Sequence, residues 1–235
     1  MGSKARIAKE IIPIMLRNRK KDQYFFDVCC GGGNLIDKVP ATGINIAADN
    51  NLYVVEALRL IQSNPTSLPK NNKEFTLEHY NAIRSGSMEV SIGYKGYVGY
   101  ALSYGGKWFG GWCRDGAGKR DYIREAYDNA QEQSKRLNNV RIIHEDLYTN
   151  WYPDNSIIYV DPPYKGTTGY GSTFDHDKLW NWVREMTEKD YKVYVSEYEA
   201  PPDFKCVWEK RLASSLTADT GSKTALERLF IYEKR

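Results

Sequence analysis

Apolar residues recur at helical spacing from Ile7 to Leu16, through Ala8, Ile11, Ile12 and Met15, with Pro13 inside the run. Tyr24 to Cys30 is then a short apolar run ending in Gly31-Gly32-Gly33, the pattern of a buried strand entering a tight turn. A helix is expected from Asn34 to Val39, a second buried strand from Ile44 to Ala48, closed by Asp49, and a helix from Leu52 to Ile61. The stretch from Asn64 to Lys73 is rich in Asn, Pro, Ser and Lys and reads as a loop, followed by a short helix within Glu74 to Arg84. From Ser85 to Lys119 glycine and aromatic residues dominate, which predicts loops with a hairpin rather than helix. Regular alternation resumes with a helix from Arg120 to Leu137, strands at Val140 to Ile143 and Ser156 to Val160, a helix from Asp177 to Glu188 and a strand at Val193 to Ser196. Cys206 to Trp208 and Leu229 to Tyr232 are expected to pair as antiparallel strands.

Strands alternating with helices imply an α/β fold, a mostly parallel sheet covered on both faces. In such sheets ligands bind beyond the carboxyl ends of the strands. That rule gathers Asp27 to Gly33, Asp49, Asp146, Asp161 to Tyr164 and Ser196-Glu197 at one crevice.

Composition changes this picture little. The chain has 235 residues, 41% hydrophobic and 27% charged, enough to build a core without disulfides. A net charge of +3 is no nucleic-acid signature by itself, although Lys4, Arg6, Lys9, Arg17, Arg19, Lys20 and Lys21 make the first segment basic. The 18 tyrosines and 6 tryptophans suit both core filling and base stacking. Cys29, Cys30, Cys113 and Cys206 form no C-x-x-C pair, and no metal is expected, His144-Glu145-Asp146 having no second cluster to join it. With no secretory leader and no apolar run near the roughly 18 residues a membrane span needs, the expected setting is cytoplasmic, away from membranes.

The sharpest chemical signal is Asp161-Pro162-Pro163-Tyr164 at the end of a buried strand. Prolines fix the backbone there, so a carboxylate and a rigid carbonyl can accept both hydrogens of an –NH2 group. An exocyclic base amine is a poor nucleophile because its lone pair is delocalised; gripping both hydrogens favours a pyramidal, reactive nitrogen. Tyr164 would stack on a base taken out of its duplex. The Gly31-Gly32-Gly33 turn lets a ligand approach the backbone at a helix start, and Asp49 at the next strand end suits a ribose diol or a helix cap. Asp146 ends a third strand and is a candidate acceptor for a cofactor amine.

Glycine turn, acid, inserted segment and the Asp-Pro-Pro-Tyr tetrapeptide, in that order, resemble the alpha-group, Dam-like N6-adenine DNA methyltransferases of phages and prophages; Ser103 to Gly111 resembles a segment recurring in phage members. The resemblance spans most of the chain. It implies a Rossmann-like methyltransferase sheet with an antiparallel C-terminal strand, S-adenosylmethionine as cofactor and double-stranded DNA as substrate. It also implies a catalytic domain of residues 1–63 and 120–235 with an inserted target-recognition region, 64–119. Residue by residue, Lys4, Asp27, Cys29, Gly31, Gly32, Gly33, Asn34, Asp49, Asn50, Asp146 and Asp161 fall on the cofactor side, and Asp161, Pro162, Pro163 and Tyr164 on the catalytic motif. The first motif departs from the family, reading Cys29-Cys30-Gly31 where an aromatic residue and a G-x-G pattern are usual, and no glycine pair precedes Lys4. Lys95, Lys107, Arg114, Lys119 and Arg120, interleaved with aromatics, are the candidate DNA contacts. Methylation of the cytosine N4 amine, and DNA binding without turnover, remain open alternatives.

Overall fold

A computed structural model describes residues 4–164, 174–213 and 224–234. Its centre is a seven-stranded sheet in the order β3-β2-β1-β4-β5-β7-β6. The strands are β1 (Phe25–Val28), β2 (Asn45–Asp49), β3 (Val140–His144), β4 (Ile157–Val160), β5 (Lys192–Glu197), β6 (Phe204–Ala213) and β7 (Thr224–Tyr232). The first five pair in parallel, and β7 runs antiparallel to both β5 and β6. The expected mostly parallel α/β sheet with an antiparallel C-terminal strand is what the chain forms. Every residue of β1 and β4 is buried, as a strand covered on both faces requires.

Alternation along those strands divides the core. Phe25, Ala47, Ile157 and Tyr159 pack under α1 (Ala8–Met15), α2 (Leu52–Ser63) and α5 (Tyr122–Leu137). Phe26, Val28, Ile46, Ile158 and Val160 pack under α6 (His176–Glu188). Side chains supply the helix starts: Asn51 accepts from the Tyr53 and Val54 amides, Asp121 from Arg124 and Asp175 from Lys178. Each such cap stabilises by about 1 kcal/mol. α1 runs through Pro13 and ends at Met15.

Two sequence expectations need correction. Asn34 to Val39 contains only a 3-10 turn at Ile36–Lys38 rather than an α-helix. The glycine and aromatic stretch, expected to lack helix, contains α4 (Ile92–Ala101), and α3 (Leu77–Ser85) precedes it. The glycines of α4 recur every third residue and the first two face α2. A Cβ on Gly96 would overlap the Tyr53 carbonyl oxygen, and one on Gly93 would lie 2.6 Å from that of Glu56. Their poor helix propensity is offset by close helix–helix approach, a tertiary gain no local rule registers. Ser91 caps the helix through the Tyr94 amide.

Gly96→Ala should therefore destabilise the protein by about 1–3 kcal/mol despite alanine's better propensity, through overpacking against α2. Chemical denaturation measures this; a variant as stable as the parent would mean that α4 is not held by that contact.

Candidate active site

The strand order reverses between β1 and β4: the chain moves outward from β1 to β2 and β3, then returns to place β4 against the other side of β1. A sheet opens a ligand crevice at such a switch point. Register brings Val28 beside Val160, and the Asp161 amide donates to the Val28 carbonyl at 3.4 Å. The glycine turn and the Asp-Pro-Pro-Tyr segment are thus neighbours because two strands far apart in sequence pair in register.

The turn itself is tightly specified. Cys29, Gly31 and Gly33 all have positive φ, 59°, 52° and 65°. Glycine takes that conformation freely, whereas Cys29 holds it under strain, a feature that concentrates at ligand sites. Asp49 closes the turn: its Oδ2 accepts from the Gly31 amide at 2.9 Å and its Oδ1 from the Asn51 amide at 2.9 Å. Each oxygen keeps a further lone-pair direction for a ligand. Burial raises the Asp49 pKa, partly opposed by those amides. Asp146 holds its own turn through the Tyr148 amide and meets the Asn50 side chain at 3.4 Å, so these two expected residues come together beside Asp49. Asn34 lies next to the turn, its carbonyl accepting from Lys38. Behind the turn, a cavity of about 300 Å³ is lined by Gly31, Gly32, Leu58, Tyr97 and Gln133.

Asp27 is 1% exposed, and neither carboxylate oxygen meets a donor at full hydrogen-bond geometry among the described residues. Burial pushes its pKa well up, Asp161 adds to the rise, and the Ile36 amide opposes it. A buried anion without a partner is costly, so this position favours a bound cation or a proton. The Cys29 and Cys30 thiols are likewise held far up, first by burial and then by the surrounding carboxylates, which leaves them poor nucleophiles.

Lys4 is brought from the far end of the chain into the same centre. It is 8% exposed, and its Nζ lies 3.0 Å from Asp161 Oδ1 and 3.4 Å from Glu227 Oε2, and donates to the Tyr164 hydroxyl at 2.6 Å. Burial works against the ammonium, but Asp161 and Glu227 outweigh it and its pKa sits above the ordinary lysine value. Burial raises the Asp161 carboxyl, and Lys4 restrains the rise. Tyr164 donates to Glu227 at 2.7 Å and meets the Tyr198 ring edge-on at 4.5 Å between centroids.

Of these residues, sequence reading missed Glu227 and Tyr198. Glu227 lies near the start of β7, and only because that strand is antiparallel does its beginning reach the carboxyl end of β5, where Arg228 pairs with Glu197. A search for residues at strand carboxyl ends passes over it. Among the described residues, no group of three His, Cys, Asp or Glu side chains is placed to hold a metal, and no helix is long and apolar enough to cross a membrane.

The candidate DNA contacts are more scattered. Lys95 is half-buried on α4, whereas Lys107, Arg114, Lys119 and Arg120 are exposed. Arg120 is engaged by Glu125, at 2.8 and 2.6 Å, and lies over the Tyr122 ring. Lys107 belongs to a glycine knuckle, residues 103–112, bridged by the Tyr104 amide to the Gly111 carbonyl and by the Phe109 amide to the Gly99 carbonyl. Trp108 docks this knuckle on Tyr53 and Tyr100, at 4.6 and 4.9 Å. Tyr100 accepts from the Asn51 side chain, so Tyr100 and Asn51 link the knuckle to Asp49.

No family model matches the sequence, and no curated protein matches it. Among solved structures the chain is similar to SMU.472, "a putative methyltransferase complexed with SAH", with 14% identity and a TM-score of 0.36 over 98% of this chain and 53% of that one. The chain spans about half the length of that protein.

Because the folded-state pKa of Asp27 lies above its unfolded value, its burial favours folding at acid pH, and that contribution is lost as pH rises through the folded value. Asp27→Asn should accordingly raise the thermal midpoint by a few degrees at pH 8, with the gain shrinking toward pH 4. Calorimetry across that range measures it, and a gain independent of pH would contradict a strained Asp27 carboxylate.

Proposed function

We propose that the chain is an S-adenosylmethionine-dependent DNA methyltransferase acting on the exocyclic N6 amine of adenine. What supports this reading is one juxtaposition: Asp161-Pro162-Pro163-Tyr164 stands against a glycine turn flanked by Asp27 and Asp49. The residues present fit the cofactor. Asp27 offers a buried carboxylate without a close donor, suited to a cationic group, and Asp49 keeps lone pairs for a ribose diol while its amide bonds hold it in place. The open backbone of Gly31 to Gly33 admits a ligand at close range.

Bound S-adenosylmethionine supplies a methyl group on a positively charged sulfur, which keeps the electron pair of the breaking carbon–sulfur bond. Asp161 and the Pro162 carbonyl take the two hydrogens of the target amine and leave its lone pair free to form the new bond. Tyr164 lies under the extruded base. Lys4 stays protonated within this cluster and balances its negative charge rather than accepting a proton. The methylated nitrogen then sheds one hydrogen as a proton, and Asp161, whose pKa burial has raised, is the nearby acceptor. Alignment supplies much of the acceleration. Residues 64–119, with the glycine knuckle linked to Asp49 through Tyr100 and Asn51, carry target recognition.

Asp161→Ala should bind S-adenosylmethionine and lose labelled-methyl transfer to duplex DNA by about 100-fold or more. Near-normal transfer by this variant would defeat the assignment. Nucleoside analysis of the product identifies the base; N4-methylcytosine would replace adenine as the target without changing the site.

Lys107→Ala and Arg114→Ala should weaken duplex binding and flatten its salt dependence by about one charge each. Binding that is unchanged across a salt series would remove these two residues from the interface.

A further inference from the structure

Glu227 has no place in the sequence motifs, yet its side chain is 13% exposed and turned into the centre of the site. Burying a carboxylate is costly unless it is paired. Here Oε2 accepts the Tyr164 hydroxyl at 2.7 Å and faces Lys4 Nζ at 3.4 Å, while the same ammonium lies 3.0 Å from Asp161. One cation is thus divided between two carboxylates, and one phenol bridges the lysine and Glu227. Leu229, two residues on, packs into the core on the α1 face, which fixes the direction in which Glu227 points.

This arrangement meets a specific need. A target amine must donate to Asp161, where Lys4 already sits. If Asp161 were the lysine's sole anion, the incoming amine would have to break a buried ion pair and strand the ammonium, which is strongly unfavourable. With Glu227 present, the ammonium can close on the second carboxylate without leaving the cluster.

We propose that Glu227 is a positioning residue for the methyl transfer: it anchors the Tyr164 ring as the platform for the target base and draws the Lys4 ammonium off Asp161 when the amine arrives. This role rests on the reading of Asp161 to Tyr164 as the methyl-transfer site. Glu227 itself touches no reacting atom.

The test compares Glu227→Gln, Glu227→Ala, Lys4→Gln and the Lys4→Gln/Glu227→Gln double variant. Rates of labelled-methyl transfer and KM for duplex DNA are measured, together with the rate at which acetic anhydride acetylates Lys4, followed by peptide mass spectrometry. Glu227→Gln keeps an acceptor for Tyr164 and loses the charge, so kcat should fall about tenfold with KM for DNA unchanged. Glu227→Ala also frees the ring and should cost about 100-fold. The double variant should be no slower than Lys4→Gln alone. Lys4 should be acetylated several-fold faster in Glu227→Gln, because removing an anion leaves more of the amine unprotonated.

Wild-type kcat in Glu227→Gln, or additive losses in the double variant, would overturn the role. So would unchanged Lys4 acetylation in an active background. A wild-type protein that transfers no methyl to any DNA would instead overturn the functional reading on which the role rests. Should Glu227→Ala fail to fold, the near-isosteric Glu227→Gln still decides.

Discussion

The parallel pairing of β1 with β4 is the constraint from which the rest of the site follows. Once Val28 stands beside Val160, the residues that leave those strands have nowhere to go but into the same crevice. The Cys29 to Gly33 turn bends back over Asp49, and Asp161 projects toward the turn. A register slip of one residue between these strands would put Asp27 and Asp161 on opposite faces of the sheet. The complete burial of both strands opposes such a slip, because apolar side chains on both faces are matched to different helices.

The same pairing concentrates negative charge. Asp27 lies close enough to Asp161 and Asp49 to feel both charges, and the three carboxyls are all pushed upward by burial. Lys4 is a cation that the fold supplies against them, and it arrives from the start of the chain. An acid-rich cluster whose counter-charge comes from within suits a cationic ligand. It also explains why the lysine is divided between Asp161 and Glu227 rather than committed to one of them.

The glycine and aromatic stretch around α4 shows how a structural element can hide in composition. Gly93, Gly96 and Gly99 look like breakers in a linear reading. In three dimensions the first two let α4 lie on α2, and Gly99 leaves room for Trp108 and Phe109. Those aromatics then hold the knuckle that carries Lys107. Glycine here serves packing rather than turning, a difference fixed by the partner helix.

Linear pattern was enough to read the α/β class, the strand bounded by the glycine turn and the acids that end successive strands, because periodicity and strand-end chemistry are short-range signals. It also marked Asp161 to Tyr164, since two prolines after an apolar run constrain the backbone wherever they occur. Packing had to act before Lys4 could reach Asp161, before Glu227 could join them from an antiparallel strand, and before a glycine-rich stretch could become α4. Each of these depends on which distant segments come together. Burial, charge compensation and helix contact act between residues far apart in the chain, where no local pattern records them.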